Sequence, residues 1–230
     1  MKHQETDKFQ VSYSPSLHQW LALSCLFSYL LLCARVIATG HLAYVFLLWN
    51  LFLAFIPFAI SQWLYKNISI VRNRLTFTVI IITWMLFIPN SFYILTDLFH
   101  LSRFSSVPKW FDLLLILSFA WNGLLLGVLS LRQMELALQT LSGKKASLFF
   151  VFAVMVLIAF GIYVGRFLRY NSWDVLVQPF ALLEEIAMMI VHPFHNVMEW
   201  SMIFCYGLFM SLLYITIRKM SENFNHSINH

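Results

Sequence analysis

Charged residues are scarce: Asp, Glu, Lys and Arg make up 11% of the 230 residues, less than half of the roughly 25% usual in soluble domains. A chain this poor in charge cannot cover a globule with groups that water solvates. A cytosolic enzyme, a nucleic-acid-binding domain and a disordered tail are excluded on that ground. Cysteine is nearly missing too. Cys25, Cys33 and Cys205 all lie inside apolar runs, and none forms a Cys-x-x-Cys pair. No disulfide framework or zinc ribbon can be drawn, and each is expected to be a buried structural thiol. The sequence has no Gly-x-Ser-x-Gly elbow, phosphate loop, His-Glu-x-x-His or dinucleotide fingerprint, and no cofactor is expected. No 20–50-residue repeat is visible. His192-Pro-Phe-His195 with Glu199 has the look of a metal-ligand set, but Pro193 breaks the helical register, and no metal is expected.

What the chain has in abundance is apolar surface: 60% hydrophobic residues, 23 Phe, 8 Trp and a mean hydropathy of +0.76. Six segments (17–38, 42–64, 75–95, 111–131, 146–165 and 198–217) have the roughly 20 apolar residues that a helix needs to cross hydrocarbon. Unbroken runs such as SLFFVFAVMVLIAF contradict a strand barrel, whose segments alternate. The expected fold is therefore all-α, a polytopic helical bundle with one transmembrane domain over 17–217. A polar segment, 1–16, precedes it and a tail, 218–230, follows. Arg35 and Ile37 stand where a signal-peptide cleavage site would fall, so the first span is expected to stay. The stretch 175–191 carries Pro179, Glu184 and Glu185. It is expected as an amphipathic helix over 174–191 on the outer face, capped by Asn171 or Ser172. Asp174, Gln178, Glu185 and His192 would share its polar face.

With both termini on one side, that side receives ten basic residues and the other receives five: Arg35, Arg103, Lys109, Arg166 and Arg169. The positive-inside rule then predicts cytoplasmic termini. The net charge of +5 thus reflects topology rather than a nucleic-acid partner. Trp20 and Trp63 fall at the inner interface; Trp110, Trp173 and Trp200 fall at the outer one. Four of only seven glycines form two small-xxx-small pairs, Gly123/Gly127 and Gly161/Gly165, which predict a tight contact involving spans four and five. Pro57 and Pro89 kink spans two and three, where Asn50 and Asn90 are placed to satisfy the freed backbone groups.

The informative polar residues gather at the outer ends of spans three to five. Asn90, Tyr93, Asp97 and His100 are spaced 3, 4 and 3, one stripe of a continued helix. Asp112 opens span four, and Arg166 and Arg169 close span five one turn apart. One interpretation is a half-buried site facing the outer leaflet. There Asp97, His100 and Asp112 are the catalytic candidates, the first two as an acid/base pair. Asn90, Tyr93, Arg166, Arg169, Asn171 and Asp174 would bind an anionic or lipid-linked ligand. The other is structural: Asp97, Asp112 and Asp174 neutralise the two arginines and lock helix ends. A small transporter is a third, less supported, because only Asn50, Asn90 and Asn122 lie within spans.

Four stretches carry a resemblance: WNLFLAFIP (49–57), FIPNSFYILTDLFHL (87–101), VPKWFDLLLILSFAWNGLLLG (107–127) and GRFLRYNSWD (165–174). Together they resemble the bacterial membrane-protein family called domain of unknown function 1361, from about residue 45 to about 210. Phe92 stands where that pattern has proline, and Tyr170 where it has tryptophan. The resemblance implies a multi-pass protein of the bacterial inner membrane, in contact with membrane lipids, with no established reaction.

Overall fold

The structure, a computed structural model, describes residues 15–101, 107–170 and 177–228. Its elements are helical throughout: α1 (Pro15–Thr39), α2 (Phe46–Lys66), α3 (Arg74–Tyr93), α4 (Lys109–Leu141), α5 (Lys145–Leu168), α6 (Pro179–Val191) and α7 (Val197–Ile228). Six helices are long and apolar enough to cross a membrane. The exception is α6, which rises about 20 Å over its 13 residues at 1.5 Å each, short of the roughly 30 Å hydrocarbon core. Residues 174–176 of the expected helix lie outside the described residues. Pro179 takes the first helical position, where its missing N–H costs nothing, and Gln178 and His192 sit at its non-helical ends. Among the described residues of the predicted polar stripe, Glu185 lies on the helix, while Asp174 and both cap candidates, Asn171 and Ser172, lie outside the described residues.

The central post is α4. It contributes Leu124, Val128, Leu131 and Met134 to a core shared with α3, α5 and α7, and Leu115, Ile116 and Phe119 to another shared with α1 and α2. The apolar run that marks span four ends near residue 131, yet the helix continues to Leu141 and buries Gln133 and Glu135. At Gly143 the chain reverses into α5 with φ 78° and ψ 173°, a conformation essentially restricted to glycine.

Both glycine pairs make close contacts, but with α3 rather than with each other. A Cβ on Gly123 would overlap the Ile94 Cγ2 methyl, and one on Gly127 would lie 2.8 Å from the Phe92 ring. On the other side, a Cβ on Gly161 would sit 2.7 Å from the Pro89 ring, and one on Gly165 would sit 3.2 Å from Tyr93. Since lipid gives helices no hydrophobic reason to associate, these two notches are how α4 and α5 grip α3.

Polar groups inside the bundle run along one face of α2. Asn50 meets Asp97, the Ala54 carbonyl accepts from Ser91 Oγ at 3.1 Å, and the Pro57 carbonyl accepts from Ser130 Oγ at 2.9 Å. One turn further, the Ser61 hydroxyl lies 2.7 Å from Gln133 Oε1. The two serines satisfy backbone oxygens beside the Pro57 kink, which leaves Asn50 for Asp97. Asn90 donates to the Phe87 carbonyl at 3.0 Å within the turn that Pro89 kinks. The cysteines differ from expectation: Cys205 is exposed, and Cys25 and Cys33 are only half-buried. In a bilayer an apolar run tells of lipid as readily as of core, so the run itself does not imply burial.

Candidate functional site

The C-terminal end of α3 tightens after Tyr93 into a 3-10 helix, Ile94–His100. Three residues per turn place Asp97 and His100 above one another. Asp97 is 1% exposed, and both its oxygens are occupied. Oδ2 accepts from Asn50 Nδ2 at 2.7 Å, and Oδ1 accepts from Arg166 Nη2 at 2.6 Å. The same guanidinium donates to Thr96 Oγ1 at 2.9 and 2.7 Å and lies over the Tyr93 ring, 4.5 Å from its centroid. Its Nη1 stands 2.9 Å from His100 Nε2. Because a guanidinium has only donors, Nε2 accepts in this contact. Asp97 and His100 meet through Arg166 rather than as a lone acid/base pair.

Arg166 gets there through a π turn, Val164–Leu168, at the end of α5. The next turn does not continue: Arg169 has φ 63° and is exposed, in the left-handed region that non-glycine residues seldom occupy. The two arginines are thus not a joint clamp. Arg166 points into the bundle, and Arg169 makes no ion pair with a described residue.

Asp112 belongs to a separate pair. Arg35 Nε donates to its Oδ1 at 2.7 Å, with side chains 1% and 2% exposed. Tyr44 completes the group: its hydroxyl donates to the His100 carbonyl at 3.1 Å and lies 3.5 Å from Asp112 Oδ2, while its ring stacks 4.3 Å below the Arg35 guanidinium. Burial, and then the Asp112 charge, push the Tyr44 phenol above its ordinary pKa, so it stays a donor. One Arg35 nitrogen, Nη1, is buried without a hydrogen-bond partner. His100 links the clusters, its ring on Arg166 and its carbonyl on Tyr44.

Of the candidates, then, Tyr93, Asp97, His100 and Arg166 come together, joined by Asn50 and Thr96. Asp112 pairs with Arg35 instead of with the span-five arginines, Asn90 bonds within its own helix, and Arg169 stands apart. Arg35 was the partner that sequence reasoning overlooked. The available signal was an arginine inside a helix end that lipid surrounds, a costly placement without a counter-charge. Among the described residues no three His, Cys, Asp or Glu side chains gather as metal ligands, and the His192 and His195 rings lie 6.0 Å apart on exposed residues. A cleft of about 790 Å³ opens between α1 and α2, lined by apolar residues such as Leu48, Phe52 and Phe55. None of Asp97, His100, Asp112 or Arg166 lines it.

The family described as Protein of unknown function (DUF1361) matches residues 49–213, and the chain belongs to that family. No curated protein and no solved structure matches it.

Proposed function

We propose that this family member is a non-catalytic subunit or assembly factor of the bacterial inner membrane, whose outer ion pairs are structural clamps. The observation that carries this reading is saturation from within. Asp97 spends both oxygens on Asn50 and Arg166, and Asp112 is held by Arg35 through Nε at 2.7 Å and Nη2 at 3.4 Å. Breaking such a pair by removing one partner costs about 3–5 kcal/mol, because a buried charge is left behind. Arg166→Gln should therefore lower abundance and thermal stability, and Asp97→Asn in the same chain should restore most of both. Normal abundance of Arg166→Gln with loss of cellular function refutes the clamp.

A second reading, an outer-leaflet site for an anionic or lipid-linked ligand, is favoured by the local backbone. A π turn and a left-handed arginine are features found at functional sites, and they leave Arg169 exposed three residues after Arg166, itself 13% exposed. An anion held by Arg169 that drew Arg166 away from its partners would release Asp97 and His100 for acid/base work. Complementation of a deletion strain by Arg169→Gln separates the readings: failure at normal abundance supports the site, and full complementation supports the clamp. The excess of basic residues at the opposite end supports cytoplasmic termini. Labelling of a single cysteine at Val107 from outside intact cells, and not of one at Asn73, is the expected result.

A further inference from the structure

The opposite end of the bundle holds a charge cluster that neither reading uses. Past its apolar run, α4 turns Glu135 inward, with no exposed surface. Oε1 accepts from Arg218 Nη1 at 2.7 Å and Gln139 Nε2 at 3.1 Å, and Oε2 accepts from Arg132 Nη1 at 2.7 Å and from the Tyr214 hydroxyl. Arg218 also donates through Nε to Glu222 at 2.9 Å, and Lys219 Nζ reaches the other Glu222 oxygen at 3.0 Å. The cluster holds three cations and two anions, one positive charge in surplus. Lys66, Arg72, Arg74 and Lys145, all exposed, end or begin helices on the same side.

Two features separate this node from a closed clamp. Both guanidinia are partly open, at 24% and 21% exposed. The bonds above leave Arg132 its Nε and Nη2, and Arg218 its Nη2. Each guanidinium is pinned to a different oxygen of one buried carboxylate, so their spacing is fixed before any ligand arrives and little side-chain entropy remains to be lost. Two like charges bonded to one carboxylate at the edge of a low-dielectric interior repel, and a second anion shared by them relieves that repulsion. Guanidinium forks match phosphate oxygens in pairs, and basic pockets between transmembrane helices are where anionic headgroups dock.

We propose that Arg132 and Arg218, spaced by Glu135, form a binding site for the phosphate of an anionic phospholipid headgroup. Glu135 is a positioning residue: it holds the two arginines and does not touch the lipid. The proposal is independent of both readings of the outer cluster.

The test is binding of fluorescent phosphatidylglycerol to the full chain in neutral detergent, with phosphatidylcholine, inorganic phosphate and variants as arms. Phosphatidylglycerol is expected to bind more tightly than phosphatidylcholine, and millimolar inorganic phosphate is expected not to displace it. Arg132→Lys keeps a charge beside Glu135 but loses the fork, and should weaken phosphatidylglycerol binding by about tenfold. Lys66→Gln and Lys145→Gln, outside the node, should leave it unchanged. Equal binding of the two lipids, displacement by inorganic phosphate, or equal weakening by Lys66→Gln and Arg132→Lys overturns the proposal. Should Arg132→Lys not fold, the unmodified chain against the two lipids and phosphate decides alone.

Discussion

The glycine notches predict an ordered series of stabilities. Replacing a helical glycine by alanine gains up to about 1 kcal/mol of helix propensity, while forcing a methyl into a packed contact costs about 1–3 kcal/mol. The balance depends on what the methyl meets. At Gly123 it meets a branched methyl on Cγ2 of Ile94 and, at 3.0 Å, the Ser91 carbonyl oxygen, neither of which can swing away. At Gly161 it meets the Pro89 ring at 2.7 and 2.8 Å, equally rigid. Gly127 faces Phe92 and Ser91 at 2.8 and 2.9 Å. Gly165 has 3.2 Å to Tyr93, and Gly207 has 3.4 Å to Val156, an ordinary contact. Alanine should therefore be most harmful at 123, followed by 161 and 127, with a net loss of about 1–2 kcal/mol or more. It should be near neutral at 165 and slightly stabilising at 207. Thermal unfolding in detergent, followed by tryptophan fluorescence, measures the series. Equal midpoints for Gly123→Ala and Gly207→Ala would mean that close approach to α3 is not what these glycines supply.

Arg35→Met strands the Asp112 carboxylate and should cost about 3–5 kcal/mol, whereas adding Asp112→Leu should recover most of it; unfolding midpoints of the single and double variants check this, and the orphaned Arg35 Nη1 makes the apolar replacement the more favourable. Tyr44→Phe removes the bond to the His100 carbonyl and should cost about 0.5–1.5 kcal/mol at neutral pH in the same assay. Since the Tyr44 pKa is raised on folding, its contribution is intact below the unfolded value of about 10 and declines as pH rises beyond it. The phenylalanine variant should lose less stability than the unmodified chain between neutral and strongly alkaline pH.

The six spans were readable from single residues because hydrocarbon imposes a length and a composition on whatever crosses it. The partners of the polar groups were not. Asp112 and Arg35 lie 77 positions apart, and nothing local tells an acid which arginine will reach it. The glycine pairs announced close approach, but their partner α3 offers a proline and aromatic rings rather than a small-residue motif of its own. The apolar run of span four ends at 131, where LRQMELALQ turns polar. Those residues instead stay inside, since α7 brings Tyr214 and Arg218 to cover Glu135. The stripe through Asp97 and His100 was drawn for a continuous α-helix, and the 3-10 turn tightened it. Arg166 and Arg169 were paired on the same assumption, which the π turn and the left-handed residue undo.

The distance along the chain between Asp97 and Arg166 also sets a schedule. The guanidinium emerges 69 residues after the carboxylate it neutralises, roughly 3–14 s later at the ~5–20 residues per second of synthesis. During that interval the third helix has neither its counter-ion nor the notches at Gly161 and Gly165. A nascent acid without its base is poorly suited to hydrocarbon, and Asp97, beyond the end of the third helix, is expected to stay at the water boundary until the fifth has been made. Biogenesis, more than the finished bundle, is where a lost arginine should first be felt.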